Sequence, residues 1–302
     1  MVLIGDHYEP LKKIGEGAHG EVFSGLDKRS GNVVAIKRED KGRGNVSKEA
    51  EILQLLSGLP GFPELLYQGE TETYGFIVME HYGPTLKLIR GQTSFGRFPL
   101  EAVICFGMQM LDLLQTIHSK GIVHCDIKTE NILAQASLLE TDTNLTSFRP
   151  HLIDFASSKF WPPPPSLIKK KKRRRSSATK IGTTKYASLN LHKGKEPSPR
   201  DDIESLLYLL IDLHNRKLPW SGVLNKNWTR IGEIKDEILL CDLCSGMPVP
   251  FLACLEYVRG LGARTRIDYE RIRDGLRECF GVGVRIVGGM EGNGVGNGVS
   301  SR

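Results

Sequence analysis

Two hydrophobic rhythms divide the chain. Up to about residue 80, apolar positions fall in short, strand-like runs; beyond it they recur at helical spacing over longer stretches. "EVFSGLD" (21–27) and "NVVAIKRE" (32–39) flank the turn "KRSGN" and predict a β-hairpin. "SKEAEILQLLSG" (47–58) predicts a helix with Ser47 as cap, Ile52, Leu53, Leu55 and Leu56 as apolar face, and Gly58 as terminator. "YGFIVMEHYG" (74–83) predicts a strand running into a linker. "EAVICFGMQMLDLLQTIHSKG" (101–121) and "PRDDIESLLYLLIDLHNR" (199–216) predict two long apolar helices. "RIGEIKDEILLCDL" (230–243), "PFLACLEYVRGL" (250–261) and "DYERIRDGLREC" (268–279) predict three more.

A small strand-rich part followed by a larger helical part is an α+β arrangement in two lobes, with a cleft between them to hold a ligand. Two segments break the pattern. "WPPPPSLIKKKKRRRSSATK" (161–180) combines a proline run, a basic run and serines, with too little apolar surface to order itself. The end of the chain, from 281 and above all over 288–302, is glycine-rich and is expected to be flexible.

Composition narrows the classes. The chain has 302 residues, 40% hydrophobic and 25% charged, enough to bury a core. The net charge of +6 is concentrated in "KKKKRRR" (169–175), without which it becomes −1. A broad nucleic-acid-binding surface is not indicated. The start, "MVLIGDHYEP", has no basic region before its short apolar run, which argues against a signal peptide. "SLLYLLIDL" (205–213) is too short to span a bilayer, and no membrane association is expected. Six scattered cysteines fit a reduced compartment, cytoplasm or nucleus. Cys241 and Cys244 form one C-x-x-C without a second pair; helix packing is preferred to zinc there.

The chemistry lies in four motifs in chain order. Transfer of a phosphoryl group from ATP needs a phosphate cradle, a cation on the phosphates, metal ligands and a carboxylate beside the attacking hydroxyl. "IGEGAHGEV" (14–22) places Gly15, Gly17 and Gly20 where backbone N–H groups can approach phosphate. The rival, a dinucleotide fingerprint, needs a helix after the glycines, whereas a strand-like "EVFSG" follows. Lys37, ending the apolar run "VVAIK", is the candidate phosphate cation; Glu49 or Glu51 on the next helix would partner it, Glu49 preferred. "HCDIKTENIL" (124–133) offers Asp126 for the hydroxyl proton, Lys128 for the γ-phosphate and Asn131 for a metal ion. Asp154 in "LIDFASS" (152–158) follows an apolar strand and can bind the bridging metal.

These motifs resemble the eukaryotic protein kinase superfamily. The stretch "IGTTKYASLNLHKGKEPSPRDDIESLLYLLIDLHNRKLPW" (181–220) and the linker "VMEHYGPTL" (78–86) narrow the resemblance to the casein kinase I family. It covers roughly residues 8–280. It implies a kinase fold with an N-lobe over 8–79, a hinge over 80–84 and a C-lobe over 85–280. It implies ATP with Mg2+ and transfer to protein serine or threonine. Ile14, Val22 and Ala35 join the glycines and Lys37 in the implied ATP site; Met79 gates the adenine pocket, the backbones of Glu80 and Tyr82 bind adenine, and Asp202 braces the catalytic loop. Lys185 in "TTKYAS" matches a basic position linked to acidic or already phosphorylated substrates.

The chain departs from that family in four places. Cys125 replaces arginine, Ala156 replaces the glycine of D-F-G, Thr129-Glu130 replaces Pro-Asp, and the activation segment carries the basic insertion. If position 156 needs a positive φ, its Cβ costs on the order of 1 kcal/mol. The reading is an active, monomeric serine/threonine protein kinase. The alternative is a catalytically weak pseudokinase serving as a nucleotide-binding scaffold; a small-molecule kinase is more remote. The basic run reads either as a nuclear import signal or nucleic-acid patch, or as a solvated loop recruiting acidic partners.

Overall fold

The computed structural model describes residues 3–17, 20–41, 46–93, 95–135, 145, 148–162, 180–280 and 285–287. The basic run 169–175 and residues 288–302 lie outside them. The small lobe is one antiparallel sheet made of β1 (Tyr8–Gly17), β2 (Gly20–Asp27), β3 (Val33–Asp40), β4 (Leu65–Glu70) and β5 (Tyr74–Glu80). Its order is β1-β2-β3-β5-β4. Strand periodicity sorts β3 onto two faces. Val34 and Ile36 pack with Tyr8, Phe76 and Val78 on the outer face. Ala35 and Lys37, opposite Met79 and Ile77, belong to the inner face. Helix α1 (Val46–Leu56) buries Ile52, Leu53 and Leu56 in the main core with Ile77 and Met79.

The large lobe begins with α2 (Leu86–Gln92), capped by Thr85, whose hydroxyl accepts the Leu88 N–H at 3.1 Å. Helix α3 (Leu100–Ser119) follows. It is long and apolar enough to cross a membrane by length and composition alone. In the fold, Val103, Phe106, Met110, Leu114 and Ile117 are buried in the core. Two short antiparallel pairs frame the loops beside the cleft: β6 (Ile122–Val123) with β9 (Lys159–Phe160), and β7 (Ile132–Leu133) with β8 (His151–Leu152). Then come α4 (Leu189–His192), α5 (Pro199–Asn215), α6 (Trp228–Glu237), α7 (Leu240–Leu243), α8 (Val249–Gly260) and α9 (Tyr269–Glu278).

Helix α5 lies in the middle of this lobe, with every residue from Pro199 to Leu213 buried. Its acids therefore need partners, because an unpaired buried charge is costly. Asp201 closes a capping box with Ser198. Glu204 sits 2.8 Å from the Arg259 guanidinium, and Asp212 pairs with Arg90. Asp202 turns toward the loop after β6.

The structure departs from the sequence reading at several points. In α1, Ser47 lies inside the helix and does not cap it, and Leu55, expected on the apolar face, is 48% exposed. The run 230–243 is two helices, because Ile238 and Leu239 take extended backbone and Ile238 packs on the core. Cys244 is fully buried while Cys241 is exposed, so the C-x-x-C residues lie in different environments. Residues 285–287, within the stretch expected to be flexible, are tied to the start of α8 and the chain just before it. The Val249 N–H donates to the Arg285 carbonyl at 2.8 Å and the Gly246 N–H to that of Val287 at 2.9 Å.

Candidate active site

Three elements distant in sequence meet at Lys37. Its ammonium, 5% exposed, lies 2.5 Å from Glu49 Oε2 on α1 and 2.8 Å from Asp154 Oδ1 after β8. Of the two glutamates open at the sequence level, the contact falls to Glu49; Glu51 is exposed. Burial alone would lower the Lys37 pKa, but the two carboxylates outweigh it and hold the ammonium above the ordinary lysine value. Burial raises the Glu49 pKa, with Lys37 opposing. Glu49 Oε1 also accepts the Phe155 N–H at 3.2 Å, so α1 holds the segment that carries Asp154. The Phe155 ring is fully buried, against Phe62 and His124.

The loop between β6 and β7 carries Asp126, and each carboxylate oxygen is held. Oδ1 accepts both the N–H and the hydroxyl of Thr183, each at 2.7 Å. Oδ2 accepts from Lys128 Nζ at 2.5 Å and from Asn131 Nδ2 at 3.3 Å. Asn131 Nδ2 also donates to the Asp126 carbonyl at 3.0 Å, and among the described residues no donor meets the amide Oδ1. Below the loop, Asp202 accepts the N–H groups of His124 at 2.7 Å and Cys125 at 2.8 Å, and His118 Nε2 at 2.9 Å. The bracing role expected of Asp202 thus has a geometric basis.

The left-handed backbone lies elsewhere than the sequence suggested. Ala156 is part of a 3-10 turn, Phe155–Ser157, buried, with its carbonyl accepting Lys48 Nζ at 2.9 Å. The strain expected at Ala156 is absent. Asp154 (φ 65°) and Cys125 (φ 69°) hold the left-handed positions instead. Each costs on the order of 1–2 kcal/mol, and such positions cluster at functional sites. At Cys125 the Asp202 carboxylate holds the N–H, and Gly182 makes room on the other side. A Cβ at Gly182, itself at φ 80°, would sit 2.3 Å from the Cys125 carbonyl. The thiol is buried, and burial pushes its pKa well above the ordinary value.

The glycine-rich turn joins β1 to β2; Gly20 is forced by packing, since at φ 106° a Cβ would lie 2.1 Å from the Arg38 carbonyl. A Cβ at Gly17 would meet nothing within 4 Å, and one at Gly15 only Val22 at 3.6 Å. Val22 and Ala35 are half-buried, Met79 is buried and Ile14 is 50% exposed. After Glu80 the linker is pinned at its far end, where the Gly83 N–H donates to the Ala134 carbonyl at 3.0 Å. The Tyr82 ring stacks on His151, and its hydroxyl donates to Glu80 Oε2 at 2.7 Å. Among the described residues, the Tyr82 backbone N–H and carbonyl have no protein partner.

The Protein kinase domain model matches residues 8–245. Curated relatives include the casein kinase I homolog RAG8 of Kluyveromyces lactis, 33% identical over 90% of this chain and 50% of its own length. Casein kinase I homolog 3 of Schizosaccharomyces pombe is 32% identical over 90% of this chain and 61% of its own length. Casein kinase I homolog 2 of Saccharomyces cerevisiae is 32% identical over 90% and 49%. The chain belongs to the protein kinase family and, within it, is similar to casein kinase I homologs. It spans about half to three fifths of the length of these relatives.

Within the kinase, the segment that carried the narrower resemblance is built into α5. Lys185 Nζ donates to Asp212 Oδ2 at 2.7 Å, and the Tyr186 hydroxyl donates to the same atom at 2.8 Å. Arg90 meets that oxygen too, so two cations share one carboxylate and leave one positive charge in excess. The sequence reading missed Thr183, His118 and Asp212. The G-T-T of the segment pointed to Thr183. Nothing in the helical patterns marked His118 or Asp212 as more than helix residues.

Asn131 and Asp154 suit a small hard cation. Mg2+ is commonly held by one or two carboxylates together with phosphate oxygens and water. One carboxylate, beside the Lys37 ammonium, and one amide oxygen make such a donor set.

Proposed function

We propose that the chain is an active protein kinase that transfers the γ-phosphate of ATP to serine or threonine hydroxyls of proteins. The observation that carries this is Lys37, whose ammonium ties β3, α1 and the Asp154 segment into one cluster. In this reading Lys37 binds the α- and β-phosphates. The turn at Gly15 and Gly17, where the protein itself leaves room for a Cβ, lets backbone N–H groups approach the phosphates. Ile14, Val22, Ala35 and Met79 enclose adenine, and the backbones of Glu80 and Tyr82 bind its edge. Mg2+, held by Asn131 and Asp154, would neutralise charge on the phosphate oxygens. The substrate hydroxyl attacks the γ-phosphorus while the bond to the bridging oxygen of ADP breaks. Asp126, oriented by Thr183, accepts the hydroxyl proton, and Lys128 balances charge on the transferred group.

The excess positive charge at Lys185, Arg90 and Asp212 favours acidic or phosphorylated substrates. The basic run 169–175 adds charge of the same sign. We further assign the chain to cytoplasm or nucleus as a monomer, on composition alone. The test is labelled phosphate transfer from ATP to casein and to a phospho-primed peptide, with Asp126→Asn as control. Transfer at the control's rate on both substrates overturns the reading.

A further inference from the structure

Lys235, on α6, is fully buried, and the transfer chemistry above makes no use of it. Its Nζ lies 3.1 Å from the Thr184 carbonyl, 3.2 Å from that of Lys185 and 2.6 Å from that of Ala187. A fourth neighbour, His192 Nε2, is at 3.1 Å. The ammonium lies 4.7 Å from the Trp220 ring centre and 5.1 Å from that of Tyr208. An ammonium has three N–H donors and no acceptor, which matches a nest of carbonyls over aromatic faces.

The carbonyls belong to irregular backbone. Residues 184–186 form a turn in which the Tyr186 and Ala187 N–H groups both return to the Thr183 carbonyl, at 3.0 and 2.9 Å. Among the described residues no backbone N–H meets the carbonyls of Thr184, Lys185 and Ala187. Apart from His192 Nε2, 3.3 Å from the Thr184 carbonyl, they depend on side chains outside the helix and strand ladders; buried backbone acceptors need such donors. Lys235 supplies them from below, and Trp220 Nε1 adds one bond to the Lys185 carbonyl at 2.8 Å. The same turn begins at Thr183, bonded to Asp126, and presents Lys185 at the rim.

We propose that Lys235 is a positioning residue for the protein substrate: it holds the turn 183–187 in register with Asp126 and so sets affinity for the hydroxyl-bearing peptide rather than for ATP. The proposal rests on the kinase reading. An apolar side chain of similar volume often serves stability as well as a buried charge does. Stability alone therefore does not call for a lysine at this point, whereas three carbonyls in a fixed arrangement call for its N–H donors, even though burial holds its pKa well below the ordinary lysine value. With methionine at this position the Ala187 carbonyl loses its donor, and those of Thr184 and Lys185 keep only His192 and Trp220, so the turn must shift to reach water.

The experiment pairs kinetics with hydrogen exchange on Lys235→Met. The expected result is a rise of about tenfold or more in KM for an acidic serine peptide, the effect of one lost charge-assisted hydrogen bond. KM for ATP should change less than about twofold, a split that a general loss of folding would not give. Amide exchange should accelerate over 183–187 and stay unchanged over α3 and α5. Should Lys235→Met not fold, Lys235→Gln, which keeps two donors without charge, is read in the same way and should show a smaller split. An unaltered peptide KM, or exchange that rises evenly across the large lobe, overturns the proposal. A wild-type protein that transfers no phosphate overturns the kinase reading instead, and exchange at the turn still decides whether Lys235 positions it.

Discussion

Asp202→Asn tests how the catalytic loop is held. The carboxylate is 1% exposed and accepts three hydrogen bonds, from the backbone of His124 and Cys125 and from His118. An asparagine has one acceptor oxygen. Its best orientation keeps that oxygen on His124 and His118 and turns its NH2 group against the Cys125 N–H. One bond to a charged acceptor, worth about 1.5–3 kcal/mol, is lost, and a buried donor is left unmet at a cost of about 1–3 kcal/mol. The two figures overlap, because the same N–H enters both, so the expected loss is about 3 kcal/mol. That is a large part of the roughly 5–15 kcal/mol that holds a domain together. The Cys125 backbone, left-handed at φ 69°, loses the contact that keeps it there and should relax. Asp126 follows it directly, and a shift of about 1 Å in a catalytic group can cost on the order of 10²-fold in rate. Urea unfolding with linear extrapolation measures the first effect. Phosphate transfer to casein, at a temperature where the variant is folded, measures the second. A stability change under about 1 kcal/mol with the wild-type rate would refute the reasoning and mean that the loop holds its own conformation.

Three further outcomes follow from the same geometry. Ala156→Gly should not raise the transfer rate and should cost about 0.5–1 kcal/mol, since glycine is disfavoured in a helical turn; a faster enzyme would restore the idea of strain there. His192 has its pKa lowered to about 4 by burial and by Lys235. Between that value and the ordinary 6.5 the unfolded state binds more protons, so stability is present above pH 6.5 and lost as pH falls toward 4. Discounted for partial exposure, the loss is about 1–2 kcal/mol, and His192→Gln should flatten the fall of Tm across that window. Phosphatase-treated bacterial protein should phosphorylate casein well above the Asp126→Asn control, because Cys125 offers no cation to a phosphate on Ser176, Ser177 or Thr179. Activity that appears only after an upstream kinase acts would contradict this.

Much of the site was legible because its chemistry is carried by side chains at fixed spacing. Lys37 and Asp154 each follow an apolar run that orders their backbone, Asp126 and Asn131 share one short loop motif, and the fold holds each group in place. The long helices were legible for the same reason. Strand β1 was not, because most of its middle residues are exposed and leave no alternation to read. Lys235 and His118 were not, because a charged or polar residue in a helix is ordinarily solvated, and only the folded chain sets Lys235 beside carbonyls about 50 residues away. The sequence pointed to a left-handed backbone at Ala156, where the motif's glycine would be; packing puts it at Asp154 and Cys125.

Three of the four departures from the family pattern share a physical feature. At position 125 the fold uses the N–H, which Asp202 receives, and the carbonyl, which Gly182 admits. At position 156 it uses the carbonyl, which Lys48 binds. At 129–130 it uses the turn that returns the Asn131 N–H to the Lys128 carbonyl at 3.1 Å, while the Glu130 side chain reaches out to Lys87. In each case the contact belongs to the main chain, and almost any residue supplies it. The side chains that hold one another, Lys37 with Glu49 and Asp154, and Asp126 with Asn131, follow the pattern. Loss of catalysis would leave no reason for these five side chains to keep one another's geometry, with a buried ammonium balanced between two carboxylates. The substitutions therefore argue for a kinase whose loop scaffold has drifted around unchanged chemistry, and against a scaffold that has shed it.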